Sequence, residues 1–114
     1  MARWIGASHE RRAEQFLREA GLSFVARNIT YRGSEIDLIM QEHGTWVCVE
    51  VKYRRQGSHG VAAESISAAK IRRMGAALQR YLTEHNINPT MAAMRLDAVV
   101  IDDKRIEWIK NIGV

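Results

Sequence analysis

Residues 46–53 read Trp-Val-Cys-Val-Glu-Val-Lys-Tyr, a pattern typical of a buried strand that carries two charges. β-Branched and aromatic residues alternate with the others without a break, which predicts a strand over 46–53. The valines face one side of this strand, and Cys48, Glu50 and Lys52 face the other. Glu50 and Lys52 are therefore expected about 7 Å apart. A strand this apolar normally lies inside a fold, where an ionised group must be paired or bind a metal.

A second apolar run carries an acid on the neighbouring strand. Residues 36–41, Ile-Asp-Leu-Ile-Met-Gln, predict a strand, and residues 42–45, Glu-His-Gly-Thr, predict a tight hairpin loop. The two strands joined by this loop are antiparallel neighbours, so Asp37 and Glu50 lie near corresponding levels. Partners at such positions approach to about 5 Å. Asp37, Glu50 and Lys52 are therefore expected to form one site.

The other patterns complete a mixed order of helices and strands. An apolar stripe at helical spacing predicts a helix over 7–20, with Ser8 as its N-cap and Gly21 as its stop. The order of elements predicts an α/β fold, with a mixed central sheet flanked by helices. The remaining predicted elements are strands over 22–29, 95–101 and 105–109, a helix over 65–85, a turn over 30–34 and a loop over 56–60.

Length and composition restrict the class of protein. A chain of 114 residues with 46% hydrophobic and 26% charged residues fits one globular domain, 1–114. It has no apolar run near the roughly 20 residues that span a membrane, and its first residues are too short an apolar stretch for a signal peptide. The single cysteine, Cys48, fits a reducing, cytoplasmic setting. The net charge of +4 is compatible with a nucleic-acid partner.

Several charged residues outside the strand pair are candidates for the same site. Glu10 lies on the apolar stripe of the first helix, so it extends the acidic cluster if that helix packs across the strand ends. The alternative is an acid near the helix start, favoured by the helix dipole. Arg54 and Arg55 follow the strand and Lys70 lies near the start of the second helix, where all three can contact phosphates. The alternative for these cations is a solvated face.

Two carboxylates and a lysine on adjacent strands suit metal-assisted hydrolysis of a phosphodiester. Mg²⁺ prefers oxygen ligands and usually takes one or two protein carboxylates, the number that Asp37 and Glu50 supply. A bound metal polarises the phosphate and activates water. Lys52 can orient that water or offset charge in the transition state. The alternative is a structural ion-pair network at a sheet edge, and these three residues alone leave both open.

The order of these residues resembles the PD-(D/E)xK restriction-endonuclease-like superfamily, with its αβββαβ core. Within it, the chain looks closer still to the YraN-like bacterial proteins, an uncharacterised family similar to archaeal Holliday-junction resolvases. The resemblance covers nearly the full length. It is carried by Gly6, Glu10, Ala13, Asn28, residues 33–39 (Gly-Ser-Glu-Ile-Asp-Leu-Ile), residues 49–54 (Val-Glu-Val-Lys-Tyr-Arg), Lys70 and residues 95–97 (Arg-Leu-Asp).

The resemblance implies a nuclease with named site residues. Asp37 and Glu50 would bind Mg²⁺ or Mn²⁺, the Val51 carbonyl would be a third ligand, and Lys52 would be the catalytic lysine. Glu10 matches the first-helix acid of the resolvase-like branch.

The first interpretation is thus a Mg²⁺- or Mn²⁺-dependent DNA endonuclease in repair or recombination, with branched DNA as one substrate. Mechanism and resemblance also lead us to expect a homodimer, because each active site cuts one strand. The alternative is a non-catalytic nucleic-acid-binding module, in which Lys52 would have no special role. A third hypothesis is a scaffold for protein partners.

Overall fold

The computed structural model describes residues 2–54 and 66–113, with the side chains of the first helix described from Ser8 onward. Arg55, the predicted loop over 56–60 and Ser65 lie outside the described residues. The elements in chain order are α1 (Ala2–Glu19), β1 (Ser23–Tyr31), β2 (Ser34–Glu42), β3 (Thr45–Tyr53), α2 (Ala68–Glu84), β4 (Met94–Ile101) and β5 (Ile106–Ile109).

The strands form one mixed sheet in the order β1-β2-β3-β4-β5. The pairs β1–β2, β2–β3 and β4–β5 are antiparallel, whereas β3 and β4 are parallel. A parallel pair needs a long crossover between its strands, and the chain segment that contains α2 supplies it. The predicted α/β fold with a mixed central sheet is confirmed.

Each face of the sheet carries its own apolar core and its own helix. Because alternate side chains of a strand point to opposite faces, β3 contributes to both cores. The α1-side core includes Ala13, Leu17, Leu38, Met40, Val47, Val49, Val99 and Ile101. The α2-side core includes Ile36, Ile39, Cys48, Met74, Ala77, Leu78, Leu82 and Ala98. Cys48 is a core residue on the α2 side, and burial raises the pKa of its thiol well above its usual range.

The first helix begins earlier than the sequence predicts. Ser8 lies inside α1, so its prediction as the N-cap is wrong. Residues 2–7 contain no proline, and serine is only mildly unfavourable within a helix, so nothing in this stretch prevents the extension. The predicted stop is confirmed: Gly21 has a φ of 106°, and its N–H donates to the Arg18 carbonyl at 3.0 Å.

The second helix begins a few residues later than predicted. Ser67 is its N-cap, and the Ser67 hydroxyl accepts a hydrogen bond from the Lys70 backbone N–H at 3.0 Å. This bond satisfies one of the free N–H groups of the first turn. The cap therefore fixes the end of α2 that carries the Lys70 side chain.

The buried carboxylate of Asp97 forms a hydrogen-bond network at the edge of the sheet where β4 pairs with β5. Asp97 is 0% exposed, and its carboxylate accepts two hydrogen bonds from Arg95, both at 2.9 Å. It also accepts from the Trp108 indole at 3.0 Å and from the Asn111 backbone N–H at 2.9 Å. Arg95 donates in addition to Glu42 at 2.7 Å. This network ties β5 and the residues after it to β4.

None of the helices in the described part of the chain has the length and apolar character that crossing a membrane requires.

Candidate functional site

The site lies where the pairing of β2 with β3 ends. Paired positions run from Glu42↔Thr45 to Leu38↔Val49, whereas β3 stays paired with β4 as far as Tyr53. Asp37 comes directly before Leu38, and its carboxylate accepts a hydrogen bond from the Val51 backbone N–H at 2.9 Å. The Asp37 side chain is therefore tied to β3 at the point where the two strands part.

Glu50 faces two lysines. The Glu50 residue is 7% exposed, and its Oε2 lies 3.7 Å from the Lys52 Nζ. Its Oε1 lies 3.6 Å from the Lys70 Nζ, which comes from α2 on the same face of the sheet. The structure thus brings Glu50 and Lys52 together on one face, as alternation along the strand predicts. It also brings Lys70 to this acid, a contact that the sequence pattern did not indicate.

Glu10 reaches the same cluster from α1. Its carboxyl group lies close enough to that of Asp37 for each group to affect the pKa of the other. Burial raises the pKa of Glu10 above its ordinary value, although hydrogen bonds from Asn28 and Asp37 oppose that rise. The structure therefore places Glu10 in the acid cluster, as the helix stripe predicts.

The pKa of Asp37 is strongly raised. Burial raises its pKa to about 7, and the charges of Glu50 and Glu10 act in the same direction. The Val51 N–H and the Lys70 ammonium act in the opposite direction. Acids that are forced together at a cost in stability are more typical of functional sites than of structural ion-pair networks.

The donor atoms at the site fit a hard divalent cation. No group of three or more His, Cys, Asp or Glu side chains is arranged to hold a metal within residues 2–54 and 66–113. Mg²⁺, however, usually takes only one or two protein carboxylates and completes its shell with water and phosphate oxygens. Asp37 and Glu50 supply that number, and a cation between them would offset both the burial of Asp37, which is the main cause of its raised pKa, and the repulsion between the two carboxylates.

A cleft of about 340 Å³ adjoins the cluster, between the β1–β2 turn and α2. Lys70 lines the cleft and also contacts Glu50, so this lysine connects the cleft with the acid cluster. Its lining contains two cations and one acid. The lining residues are Thr30, Tyr31, Gly33, Ser34, Glu35, Lys70 and Arg73.

Of the two arginines that follow β3, Arg54 is described by the structure. The Arg54 backbone N–H donates to the Ile101 carbonyl at 2.8 Å, which fixes this residue at the end of β3. Arg55 lies outside the described residues. The sequence assigned no chemical role to two further residues of the site, Arg73 and Asn28. An exposed arginine on a helix and an asparagine in a strand belong to no motif that would predict such a role.

Asp37→Asn is expected to stabilise the fold at pH 8. The unfolded carboxyl ionises near about pH 4 and the folded one at about 7. The folded state therefore holds the proton more tightly between these values, and wild-type stability falls as the pH rises through this window. In urea unfolding, the free energy of unfolding of the variant relative to that of wild type should be higher at pH 8 than at pH 5 by roughly 2–3 kcal/mol.

The matched control is Glu35→Gln, which changes an exposed acid on the same strand. A variant at Asp37 that is less stable than wild type at pH 8 would instead identify the cluster as a stabilising ion-pair network.

Comparison with known proteins gives one consistent result. The family model described as "Uncharacterised protein family UPF0102" matches residues 9–101. A UPF0102 protein of Serratia proteamaculans (strain 568) is 40% identical over 109 residues, which cover 96% of this chain and 93% of that protein. One of Burkholderia vietnamiensis is 42% identical over 111 residues, with 96% and 76% covered. One of Aeromonas hydrophila is 42% identical over 106 residues, with 93% and 82% covered.

These matches span the helix with Glu10 and the strands with Asp37, Glu50 and Lys52. The expected membership of the YraN-like family is thus confirmed: the chain belongs to the uncharacterised protein family UPF0102.

Proposed function

We propose that this protein is a divalent-metal-dependent DNA endonuclease with a restriction-endonuclease-like core, acting in repair or recombination. The observation that carries the proposal is the convergence of three acids, Glu10, Asp37 and Glu50, from three elements beside two lysines. A purely structural network gains nothing from placing a third acid where the first two already repel. A site that binds a dication gains from this arrangement, because the bound cation offsets the repulsion between the acids.

Each residue of the site has a definite task in this proposal. Asp37 and Glu50 would hold Mg²⁺ or Mn²⁺, with the Val51 carbonyl as the further ligand that the family resemblance implies. When bound, the metal would polarise the phosphate and lower the pKa of a water molecule. Lys52, whose side chain is 40% exposed beside Glu50, is accessible to substrate and can orient the attacking water or stabilise developing charge.

Lys70 has a separate task because of its position. Its side chain is 26% exposed, contacts Glu50 and lines the cleft. A compact ammonium at this point can contact a phosphate group of a nucleic-acid strand that lies in the cleft. That phosphate would be the neighbour of the phosphate at which the strand is cut. The cleft is therefore proposed as the path of one nucleic-acid strand, with Arg73 as a second phosphate contact.

Arg73→Ala is expected to weaken binding of DNA about threefold to tenfold at low salt and to reduce the slope of log K against log salt by about one unit. A phosphate contact releases about one counterion, so its loss lowers both quantities. Fluorescence anisotropy with labelled DNA in EDTA measures them without cleavage. Arg72→Ala is the matched control, because Arg72 is an exposed neighbour on α2 that does not line the cleft. Equal effects of the two substitutions would contradict the proposed path.

One observation favours the alternative of a non-catalytic nucleic-acid-binding module. Both oxygens of Glu50 already face a lysine ammonium, so its charge is compensated without a metal. In such a module the acids would only hold Lys52 and Lys70 in position for phosphates. The two functions differ in a single measurable property, the cutting of a phosphodiester bond.

The test of the proposed function is cleavage of labelled linear, flap and four-way-junction DNA in Mg²⁺, Mn²⁺ or EDTA. Metal-dependent cutting supports the nuclease, and the ranking of substrates tests the preference for branched DNA. Binding without cutting in any metal supports the module. Sedimentation velocity of the same preparation tests the homodimer, which the proposal requires for cutting both strands of a junction.

A further inference from the structure

Asn28 has an unusual backbone conformation in the middle of β1. Its φ is 53°, in the left-handed region that non-glycine residues rarely adopt. Asparagine tolerates this region better than most residues, yet a strand interior gives it no turn to form. Backbone outliers of this kind persist where the surrounding structure requires them, and they concentrate at functional sites.

The outlier interrupts the alternation of side chains in β1. Arg27 points toward α1, where it donates to Glu14, whereas Ile29 packs against the core on the α2 side. In a regular strand, residues two positions apart share a face. The backbone turn at Asn28 therefore sends its two neighbours to opposite faces.

The same interruption occurs on the adjacent strand at the level of Asp37. Ile36 belongs to the α2-side core and Leu38 to the α1-side core. The paired positions Arg27↔Leu38 and Ile29↔Ile36 bracket Asn28 on one strand and Asp37 on the other. One break in the pleat thus crosses both strands, and Asp37 lies in it.

The Asn28 side chain uses this break to reach α1. With its amide nitrogen toward the helix, the orientation that satisfies both partners, it donates to the Glu10 Oε1 at 2.7 Å and to the Oε2 at 3.1 Å. The Glu10 carboxyl group also interacts with that of Asp37. Two bonds from one rigid amide fix both the position and the rotation of the Glu10 carboxyl group.

We propose that Asn28 is the positioning residue of the acid cluster: its left-handed backbone and its amide together hold the Glu10 carboxyl against Asp37. The metal-affinity part of this inference rests on the proposed function, whereas the hydrogen bond between Asn28 and Glu10 does not. Residues that orient groups around a metal site typically change metal affinity or activity by tenfold to a hundredfold when they are replaced.

Two substitutions remove the amide and keep the left-handed backbone accessible. Asn28→Gly keeps the left-handed conformation at no steric cost and removes only the donor. Asn28→Asp keeps the shape of the side chain and puts a carboxylate oxygen against Glu10. The control is Asn86→Gly, because Asn86 has a φ of 62° and follows the end of α2 that is remote from Lys70. Neither glycine variant is expected to lower the Tm by more than about 5 °C.

The test combines two readouts on these variants and Glu10→Gln. The first is the ¹⁵N side-chain amide signal of Asn28, which we expect to shift in Glu10→Gln and to stay unchanged in Asn86→Gly. The second is Mn²⁺ affinity by titration calorimetry. We expect Asn28→Gly to weaken it about tenfold in the wild-type background, Asn28→Asp to weaken it at least as much, and Asn28→Gly to leave it unchanged in the Glu10→Gln background.

The outcomes distinguish this inference from the proposed function. An amide signal that does not respond to Glu10→Gln overturns the inference, whatever the metal data show. Equal weakening by Asn28→Gly in both backgrounds also overturns it, because Asn28 would then act without Glu10. If wild type binds no Mn²⁺ and cuts no DNA, the proposed function fails, and a responsive amide signal still supports the positioning of Glu10.

Discussion

Lys52→Ala is expected to lower metal-dependent cleavage of DNA by about a hundredfold to a thousandfold while DNA binding changes less than about threefold. In the proposed complex, Lys52 would be one positive charge among several that contact the nucleic acid, so binding would not depend on it alone. In the proposed cleavage reaction, however, its ammonium beside Glu50 would stabilise charge that develops only in the transition state. An interaction of this kind affects the rate of the chemical step far more than the affinity.

The measurement is single-turnover cleavage of labelled DNA in Mg²⁺, with binding measured in EDTA by anisotropy. Glu50→Gln should lose cleavage to a similar extent, because it removes a carboxylate that would bind the metal in the proposed site. Lys104→Ala is the matched control, since Lys104 is an exposed lysine on the β4–β5 connection. Cleavage that survives in both site variants would reveal a contaminating nuclease and would favour the binding module.

The part of the site that sequence alone predicts is the part that lies on regular structure. Period-two alternation places Glu50 and Lys52 on one face of β3, and a short hairpin loop brings β2 with Asp37 beside it. The stripe of α1 points Glu10 inward. Each of these inferences needs only the geometry of one helix, one strand or one turn. That geometry can be predicted from the local sequence.

The rest of the site depends on tertiary packing or on a local irregularity. Lys70 reaches Glu50 only because α2 packs on the face of the sheet where Glu50 points, and a helix pattern does not specify that face. Asn28 contacts Glu10 because its backbone leaves the strand conformation. A period-two pattern assumes a regular strand, so it cannot reveal the position where the strand is irregular.

The break in the pleat gives the acid cluster access to both faces of the sheet. Glu50 and Lys70 lie on the α2 side, whereas Glu10 comes from α1 on the other side. Asp37 joins them because it lies where β2 and β3 separate, with its carboxylate bonded to the β3 backbone. A regular sheet would keep these acids apart, so the irregularity is what makes a three-acid site possible.

The second large effect concerns stability, at Asp97. Asp97→Asn is expected to lower the free energy of unfolding by about 3 kcal/mol, because removing one member of a buried charged pair typically costs about 3–5 kcal/mol. The substituted amide is nearly isosteric, so the loss reflects charge and hydrogen bonding and not a cavity. Arg95 keeps its bond to Glu42, which places the expected value at the lower end of that range.

Urea unfolding followed by circular dichroism measures this loss, with Glu107→Gln as the control because Glu107 is an exposed acid on β5. The free energy of unfolding of a single domain is only about 5–15 kcal/mol, so a loss of about 3 kcal/mol is readily resolved.

Asp97 and the Glu10–Asp37–Glu50 cluster differ in one respect: every oxygen of Asp97 accepts from a donor, whereas Asp37 faces two other acids. We therefore expect Asp97→Asn to lower the free energy of unfolding at pH 8 and Asp37→Asn to raise it. This result would distinguish an acid that stabilises the fold from an acid that destabilises it. Equal losses would mean that both groups serve only to stabilise the structure.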